Sequence, residues 1–324
     1  MISGSELPGK ADLVDRAGII RLADLARGQS AIPLIVNPAA GRGAGARLAS
    51  WLRETRPMEP PFEVYCSRSL DDARDIAREM AARGCPLVVA AGGDGTAAAV
   101  ADAIGGSATN MALLPVGTGN DLARHLGLPL RPGPALSALL SMASVPVDLG
   151  RAGSRPFLVA AGIGFDAAVA RSVNEQPRWL RGSLAYAVAV LSTLRSYQPT
   201  LLHISVDGVT HEYLAYMAAI ANIRTYGGGM RIAPNASMRD GLLDVCVVKA
   251  LPRWRFLMAA GSVYRGAHVR HPAVHMFRGR TIRIQSEPPA PVVLDGELAG
   301  ATPVELTVEP GGIRLAIQSP YDSI

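Results

Sequence analysis

Apolar runs and amphipathic segments alternate along the first half of the chain. Runs typical of strands begin near residues 31, 62, 86 and 111, and helical patterns follow them. The clearest helical pattern spans residues 70–84, where apolar side chains recur at spacings of three and four and Gly84 is a stop signal. Strands that alternate with helices predict a parallel, doubly wound α/β sheet.

The second half has a different pattern. Short strand-like runs lie close together between turn signals from about residue 200 to residue 317, and several of them alternate apolar and polar positions. This pattern predicts an antiparallel β-sandwich, interrupted by helical patterns at 166–197 and 253–268. We therefore divide the chain into an N-terminal extension (1–30), an α/β domain (31–150) and a β-sandwich domain (151–310), with a strand near 311–320 that returns to the α/β domain.

Length and composition are consistent with two folded domains. The chain has 324 residues, of which 49% are hydrophobic, and a formal net charge of +5. Lys10 and Lys249 are the only lysines, so the positive charge comes from arginine. An arginine-rich surface suits nucleic acid, anionic lipid or a phosphorylated small molecule, and ordinary solvated faces give the same composition.

Three cysteines, Cys66, Cys85 and Cys246, are far apart and lack metal-binding spacing, which predicts buried, unreactive thiols in a reducing compartment. The first thirty residues do not have the pattern of a secretory signal, and apolar runs stay shorter than the ~18 residues that a membrane span needs. We therefore expect a cytoplasmic protein, which could associate peripherally with the inner face of the membrane.

Three glycine-rich turns follow strands of the predicted parallel sheet. They are "NPAAGRG" (37–43), "GGDGT" (92–96) and "PVGTGND" (115–121). The carboxyl ends of parallel strands meet at one edge, where backbone N–H groups and helix N-termini bind phosphate. Asp94 and Asp121 would repel phosphate unless a cation or a reacting hydroxyl lay between, as in phosphoryl transfer. Alternatively, Asp94 holds its own loop through an Asx turn.

The ordered set of motifs resembles the diacylglycerol kinase catalytic-domain superfamily, which includes bacterial lipid kinases, sphingosine kinases and ceramide kinases. These motifs are "VNPAAGRG", "GGDGT", "PVGTGNDLAR", "VDLG", "GIGFDA", "DGLLDV" and "LDGE". The resemblance covers about residues 31–317. It implies that 31–150 is a nucleotide-binding domain with a fold like that of phosphofructokinase and NAD kinase, and that 151–310 binds a lipid substrate. It also implies transfer of the γ-phosphate of ATP, with Mg²⁺, to the hydroxyl of a membrane lipid, across a cleft between the two domains. It does not imply nucleic acid as a partner, and a homodimer stays open.

The resemblance also implies roles for individual residues. Glu297 matches the proton acceptor, and Asp94 and Asp121 match active-site carboxylates. Asp240 matches a carboxylate near a structural magnesium, whose other ligands would be the backbone carbonyls of Ser237 and Leu242. Arg42 could supply positive charge in place of a P-loop lysine. The predicted nucleotide-binding residues are Asn37, Pro38, Ala39, Ala40, Gly41, Arg42, Ser67, Gly92, Gly93, Asp94, Gly95, Thr96, Gly117, Thr118 and Asn120.

One departure from the family pattern leaves two other functions open. After "GGDGT" the family commonly continues Leu-Asn-Glu, whereas this chain has Ala97, Ala98 and Ala99. Contacts that those polar side chains would make are missing, which favours either reduced efficiency or a catalytically silent nucleotide-binding regulator. A kinase of a soluble acceptor such as NAD is the other alternative, although it would need a more polar second half.

Other motifs fit structural roles. "GIGFDA" (162–167) resembles a shortened dinucleotide fingerprint, but the acidic strand end that this needs does not follow, so a tight turn is predicted. Pro272 separates the histidines of "HVRHPAVH" (268–275), which argues against a helical metal site. Tryptophan and arginine in "PRWLRGSLAYAV" (177–188) and "PRWRFLM" (252–258) indicate either core anchors or a membrane-surface contact.

Overall fold

A computed structural model of the protein describes residues 19–27, 29–55, 59–175 and 183–318; side chains are described outside 173–175 and 183–187. The chain divides into two compact units. Unit 1 consists of Met1–Val147 and Gly312–Ser323, and unit 2 contains Asp148–Gly311. Two long strands, β6 (Ala143–Ala152) and β16 (Val304–Ile317), run through these boundaries.

Unit 1 is a mixed α/β unit built around a parallel sheet, as predicted. Its other strands are β1 (Ile20–Arg21), β2 (Ile32–Val36), β3 (Phe62–Cys66), β4 (Leu87–Gly92) and β5 (Asn110–Pro115). Its helices are α1 (Leu22–Ala26), α2 (Ala40–Thr55), α3 (Leu70–Ala82), α4 (Asp94–Ile104), α5 (Asp121–His125) and α6 (Pro132–Ala138), with a 3₁₀ turn at Leu139–Ser141.

The parallel strands lie in the order β3–β2–β4–β5, and the end of β16 pairs in parallel with β5 at Arg314 and Leu315. The strand order therefore reverses between β2 and β4, which are neighbours although β3 lies between them in the sequence. Every position of β2, β4 and β5 is buried, which explains their unbroken apolar runs. In such sheets, ligands bind outside the carboxyl ends of the strands at this reversal.

Two helices show how the local pattern sets the packing. The Ser69 side chain accepts a hydrogen bond from the Asp72 N–H and so caps the start of α3. The buried face of α3 is formed by Ala73, Ala77 and Met80, at the spacing that the sequence pattern predicts. Part of the predicted N-terminal extension also packs into unit 1, because Ile20 pairs with Ser144 and α1 buries Leu22.

Unit 2 is an antiparallel β-rich unit, and the predicted β-sandwich class is confirmed. Its strands besides β6 and β16 are β7 (Arg155–Phe157), β8 (Ala160–Gly164), β9 (Thr200–Val206), β10 (Val209–Ala221), β11 (Leu243–Lys249), β12 (Val274–Gly279), β13 (Thr281–Glu287), β14 (Pro291–Leu294) and β15 (Glu297–Ala301). Its helices are α7 (Phe165–Glu175), α8 (Ser183–Ser196) and α9 (Arg253–Ala260), with 3₁₀ turns at Gly261–Arg265 and Ala267–Arg270.

Strand β10 joins the two parts of this unit. Its first half pairs with β9, and after an irregularity between Ala215 and Met217 its second half pairs with β8 and β11. Buried side chains from both parts, including Ile163, Ile204 and Ile282, form one hydrophobic core. Strand β10 therefore pairs first with β9 and then, along its second half, with β8 and β11.

The predicted helical region 253–268 is formed by α9, which ends at Ala260, and by the two 3₁₀ turns that follow it. Gly266 adopts a left-handed conformation (φ 68°) between the two turns, which stops a continuous helix. The predicted helical region 166–197 consists of α7 and α8, and residues 176–182 lie outside the described part.

The prediction of three buried thiols is wrong, because Cys66 is exposed. Strand β3 pairs with β2 on one side, and its positions are half-buried or exposed. The guanidinium of Arg53 donates a hydrogen bond to Cys66 Sγ at 3.3 Å. Within the described residues, we find no helix that combines the length and the apolar character needed to cross a membrane.

Candidate active site

The carboxyl ends of three adjacent strands bring the three glycine-rich turns together. Val36 at the end of β2 pairs with Ala91 in β4, and Gly92 pairs with Pro115 at the end of β5. The turns that follow these residues therefore leave the same edge of the sheet at the reversal of strand order. The structure thus gathers the predicted nucleotide-binding residues of unit 1 at one edge.

The first turn has a backbone that only glycine accommodates easily. Gly41, Arg42 and Gly43 are all left-handed, with φ of 57°, 58° and 83°. A Cβ atom on Gly41 would lie 2.0 Å from the Val116 carbonyl oxygen, so this turn packs directly on the backbone that follows β5. The turn consequently presents main-chain groups, and the Arg42 side chain is exposed beside them.

Asn37 connects the first turn to the second. Its Oδ1 accepts a hydrogen bond from the Ala39 N–H at 3.0 Å, and its Nδ2 donates to Thr96 Oγ1 at 3.3 Å. Ser67 lies at the end of β3, where its N–H and hydroxyl both donate to the Val36 carbonyl. Asn37 and Ser67 therefore hold the turn, and these contacts occupy their polar atoms in this structure.

The second and third turns touch each other through glycine. A Cβ on Gly117 would lie 2.5 Å from the Gly93 Cα, so the third turn does not tolerate a side chain at Gly117, whereas a Cβ on Gly93 would lie 3.4 Å from the Gly117 Cα. Gly93 also precedes α4, whose first N–H groups have no partner within the helix. Backbone N–H donors and the N-terminus of α4 therefore lie together at one edge of the sheet. Groups of this kind bind phosphate.

The Asp94 carboxylate is engaged with the third turn. Its Oδ2 accepts a hydrogen bond from the Asp121 N–H at 3.1 Å, and its Oδ1 accepts one from the Leu122 N–H at 3.0 Å. Burial raises the pKa of Asp94, while the two backbone donors act in the opposite direction. In this geometry, Asp94 orients α5 and so links the second turn to the third rather than capping its own loop.

Asn120 has the other unusual backbone of the site, with φ of 51°, and its Nδ2 donates to the Gly117 carbonyl at 2.8 Å. Its Oδ1 is buried and has no hydrogen-bond partner within the described part of the chain. Asn120 lines a small cavity of about 10 Å³ together with Gly92, Asp94 and Ala97. This volume approaches that of one water molecule, which would satisfy the oxygen.

Ala97, Ala98 and Ala99 are buried in α4. The run that departs from the family pattern therefore lies inside unit 1, immediately after the second glycine-rich turn. Thr118, by contrast, is exposed at the tip of the third turn. The loss of polar side chains at 97–99 thus affects the support behind the turn more directly than its outer surface.

Glu297 lies in unit 2 at the hairpin between β14 and β15, and it is exposed. The preceding Asp295 (φ 48°) and Gly296 (φ 86°) form the tight turn of this hairpin. The Asp295 carboxylate accepts hydrogen bonds from three successive N–H groups, those of Leu158, Val159 and Ala160 at 2.8–3.0 Å. In "LDGE", Asp295 therefore anchors the hairpin and Glu297 is presented to solvent.

The predicted magnesium residues lie on the loop before β11. Asp240 Oδ1 accepts a hydrogen bond from the Leu242 N–H at 3.1 Å, and its Oδ2 lies 3.5 Å from the Arg278 guanidinium. The charge of Asp240 also contributes to the raised pKa values of Asp148 and Asp244, after the larger effect of burial. Arg278 is the cation beside these carboxylates in this structure, because it forms ion pairs with both Asp240 and Asp244.

A hard cation would find only oxygen donors in the set Asp240, Ser237 carbonyl and Leu242 carbonyl, which is what Mg²⁺ prefers. The residues therefore fit a magnesium ion that displaces Arg278 from Asp240. Within the described part of the chain, no group of three or more His, Cys, Asp or Glu side chains forms a metal cluster. Any metal here would thus depend on backbone carbonyls and water as well as on Asp240.

Sequence reasoning missed an apolar pocket in unit 2. The pocket has a volume of about 270 Å³ and lies between the outer face of the β10–β11–β12 sheet and the helices of this unit. Its lining is mainly apolar and aromatic, with Phe165, Met217, Val248 and Phe256 among its residues. A pocket of this chemistry accommodates a hydrocarbon chain.

Asp166 is the exceptional residue of this pocket. The residue as a whole is half-buried, but its Oδ2 is shielded from solvent and has no hydrogen-bond partner within the described residues. Burial raises the pKa of Asp166 to about 7. Hydrogen bonds from the Ala167 N–H and the Tyr226 hydroxyl favour the charged form and lower this pKa by a smaller amount. The signal was present in the sequence, because Asp166 is the only charged residue between Pro156 and Ala170.

The histidines of 268–275 have separate structural contacts. His268 is buried, and its Nε2 lies 3.0 Å from the Ile232 carbonyl oxygen. His271 Nδ1 accepts a hydrogen bond from the Ala273 N–H, and His275 stacks on Tyr213 with ring centroids 4.8 Å apart. These contacts agree with the structural roles that the sequence favours.

Comparison with known proteins agrees with this geometry. The diacylglycerol kinase catalytic-domain model matches residues 31–152, and the YegS C-terminal NAD kinase beta sandwich-like domain model matches residues 159–317. A diacylglycerol kinase of Mycobacterium tuberculosis is 30% identical over 293 residues, which cover 88% of this chain and 94% of the relative. The chain belongs to the diacylglycerol kinase catalytic-domain family.

Two further relatives place the chain among lipid kinases. A Pseudomonas putida protein named "Probable lipid kinase YegS-like" is 35% identical over 233 residues, covering 70% of this chain and 79% of the relative. The crystal structure of a diacylglycerol kinase from Bacillus anthracis superposes with a TM-score of 0.72 at 26% identity, covering 90% of this chain and 98% of that chain. At the family level, this protein is a lipid kinase and hence a phosphotransferase.

Proposed function

We propose that the protein transfers the γ-phosphoryl group of ATP, in the presence of Mg²⁺, to the hydroxyl group of a membrane lipid. The observation that carries this proposal is the convergence of three glycine-rich turns at the strand reversal of unit 1. Family membership supports the reaction class, and the apolar pocket of unit 2 supports a lipid acceptor of the diacylglycerol, sphingoid or ceramide type.

Nucleotide binding is assigned to the edge of unit 1. The first turn (37–43) and the start of α4 offer backbone N–H groups to the phosphates, because Gly41, Gly93 and Gly117 keep side chains away from the backbone. Magnesium, when bound with the nucleotide, would neutralise phosphate charge. Asp94 and Asp121 would keep the third turn oriented beside it.

Acceptor binding is assigned to unit 2. A lipid chain would remove apolar surface from water inside the pocket, which is favourable by roughly 0.8 kcal/mol for each CH₂ group. Most of the pocket lining is apolar, so a nucleotide acceptor such as NAD would lose hydration with few compensating partners. The structure of the pocket therefore favours a lipid over a soluble acceptor.

In the reaction, the acceptor hydroxyl oxygen forms a bond to the γ-phosphorus while the bond between this phosphorus and the oxygen of ADP breaks. The hydroxyl proton passes to a carboxylate, which we assign to Glu297. Glu297 is exposed, whereas both oxygens of Asp94 already accept backbone hydrogen bonds. Asp94 then acts chiefly by positioning α5.

The test is transfer of label from γ-labelled ATP, with Mg²⁺, to diacylglycerol, sphingosine and ceramide in mixed micelles. The substitution Glu297→Gln should reduce transfer by about 100- to 10,000-fold while ATP affinity stays unchanged, since a general base contributes on that scale. Glu287→Gln, another exposed glutamate of unit 2, should leave transfer near the wild-type level.

Other outcomes would replace the proposal. Label found only in water-soluble product would establish a soluble acceptor instead of a lipid. ATP binding without any transfer would establish a silent nucleotide-binding regulator, and restoring polar residues at 97–99 would then be the next step. Equal activity of Glu297→Gln and the wild type would remove Glu297 from the mechanism.

A further inference from the structure

Helix α9 is an unusual element, because none of its residues is buried. Trp254 is 63% exposed, Leu257 41% and Met258 79%, and Tyr264 in the following 3₁₀ turn is 55% exposed. Four of the eleven large exposed apolar side chains found among the described residues therefore lie on this short segment, which we call the Trp254 surface.

The two faces of α9 have different surroundings. Phe256, Ala259 and Ala260, spaced by three and four residues, line the apolar pocket of unit 2. Trp254, Leu257 and Met258 share the same spacing and form another face, which is exposed. One short helix thus forms a wall of the pocket and also carries apolar side chains into solvent beside it.

The stretch of sequence that contains the Trp254 surface carries charge of one sign. From Val245 to Ser286 the sequence contains eight lysines and arginines and no aspartate or glutamate. Arg253, Arg255 and Arg265 are exposed, and none of these three is in an ion pair with another described residue. The Arg255 guanidinium lies over the Trp254 ring, 5.1 Å from its centroid, so charge and aromatic surface are presented together.

We propose that the Trp254 surface docks on a bilayer that contains anionic lipids, with Trp254, Leu257 and Met258 inserted at the level of the headgroups. Tryptophan favours this interface, and arginine binds the phosphate groups there. The docking brings the wall of the apolar pocket against the source of a lipid acceptor. The proposal rests on the proposed function only in taking the acceptor to be a membrane lipid.

A second copy of the chain suits this surface less well than a bilayer. A symmetric dimer interface brings the same patch of both subunits together, which would place arginines against arginines without an acidic partner. An anionic bilayer offers the opposite charge over the whole surface. The charge pattern therefore favours an anionic bilayer over a second copy of the chain as the partner of this exposed apolar helix.

The experiment measures cosedimentation of the full chain, without ATP, with vesicles of phosphatidylcholine alone or with added phosphatidylglycerol. We expect binding to the mixed vesicles that weakens with salt. Trp254→Ala combined with Met258→Ala should reduce the partition coefficient at least about tenfold, because two apolar side chains no longer leave water. Arg255→Gln should reduce it about fivefold, the effect of one charge near an anionic surface.

Matched controls lie in unit 1. Trp51 is also an exposed tryptophan (42%), and Trp51→Ala should bind vesicles like the wild type. Arg78→Gln removes an equal charge from another exposed helix and should also have little effect. Equal losses in these variants and in those of α9 would overturn the assignment to this surface.

Transfer to acceptor in detergent micelles, measured on the same variants, separates the two proposals. A wild-type protein that phosphorylates micellar lipid but does not sediment with vesicles overturns the docking proposal and leaves the proposed function intact. Vesicle binding through α9 without any transfer would support the docking proposal and overturn the proposed function. A dimer in solution that Trp254→Ala dissociates would assign the surface to a second copy and overturn the bilayer.

Discussion

The edge of unit 1 presents mainly backbone groups, whereas the pocket of unit 2 is lined mainly by apolar side chains. At the edge, glycines and backbone N–H groups form the surface, and Gly117 lies too close to Gly93 to carry a side chain. In the pocket, apolar side chains from helices and from the outer sheet face surround a single acid, Asp166, whose Oδ2 is shielded from solvent. The first region recognises charge through fixed dipoles, and the second excludes water. Phosphoryl transfer to a lipid requires both properties from one chain.

The strongest way to test the backbone character of the edge is to compare two glycines of the same turn. Gly41→Ala and Gly43→Ala both place a side chain on left-handed backbone, which costs about 1–2 kcal/mol. Only at Gly41 would the methyl group also collide with the Val116 carbonyl. We therefore expect Gly41→Ala to destabilise unit 1 by about 3 kcal/mol or more and to abolish measurable ATP binding.

Calorimetric ATP titration and thermal unfolding check this prediction. Gly43→Ala should keep ATP affinity within about tenfold of the wild type, since 1.4 kcal/mol corresponds to that factor. Equal behaviour of the two variants would mean that the collision with Val116 is relieved by movement of the turn.

Asp166 provides the corresponding test of the pocket through pH. Its pKa of about 7 exceeds the ordinary value of 3.8, so the folded state holds the proton more tightly than the unfolded state. The free energy of unfolding should therefore decrease as the pH rises from about 4 to 7 and stay lower above that, by on the order of a few kcal/mol. Asp166→Asn should lack this decrease.

The measurement is the unfolding midpoint of wild type, Asp166→Asn and Asp75→Asn between pH 5 and 8. Asp75 is an exposed aspartate on α3, and its variant should follow the wild-type pH dependence. Parallel curves for all three proteins would show that the Asp166 carboxyl group is hydrated rather than enclosed.

Asp94→Asn should have an intermediate effect on stability. It should also show whether Asp94 only positions α5 or exchanges a proton with the substrate. The amide has one acceptor oxygen, so one of the N–H groups of Asp121 and Leu122 loses its partner, which costs about 1–3 kcal/mol. We expect the unfolding midpoint and the ATP turnover to fall together. A loss of turnover with an unchanged midpoint would instead identify Asp94 as a group that exchanges a proton with the substrate.

The smallest expected effect belongs to Asn37, which makes two hydrogen bonds of different kinds. Asn37→Asp keeps the acceptor for the Ala39 N–H but removes the donor to Thr96, and Asn37→Ala removes both. Each bond contributes about 0.5–1.5 kcal/mol, so ATP affinity should fall in the order wild type, Asn37→Asp, Asn37→Ala. The reverse order of the two variants, seen by nucleotide titration, would show that added negative charge beside phosphate outweighs the lost bonds.

The sequence by itself determined the local chemistry of this protein. The spacing of apolar residues along 70–84 and the glycine-rich turns after strands reflect rules that act within a few residues, so the α/β class, the β-rich second half and the placement of the turns on strand ends could be predicted. The order of the motifs likewise predicted the kinase family.

Only the tertiary structure decided what depends on distant packing. The reversal of strand order between β2 and β4, the contact of Gly93 with Gly117 and the engagement of Asp94 with α5 join residues 24 to more than 50 positions apart in the sequence. Exposure of Cys66 followed from the position of β3 in the sheet, and the shielding of Asp166 Oδ2 followed from helices laid over β8–β12. Local propensity contains no information on these neighbours, because burial is a property of the assembled chain.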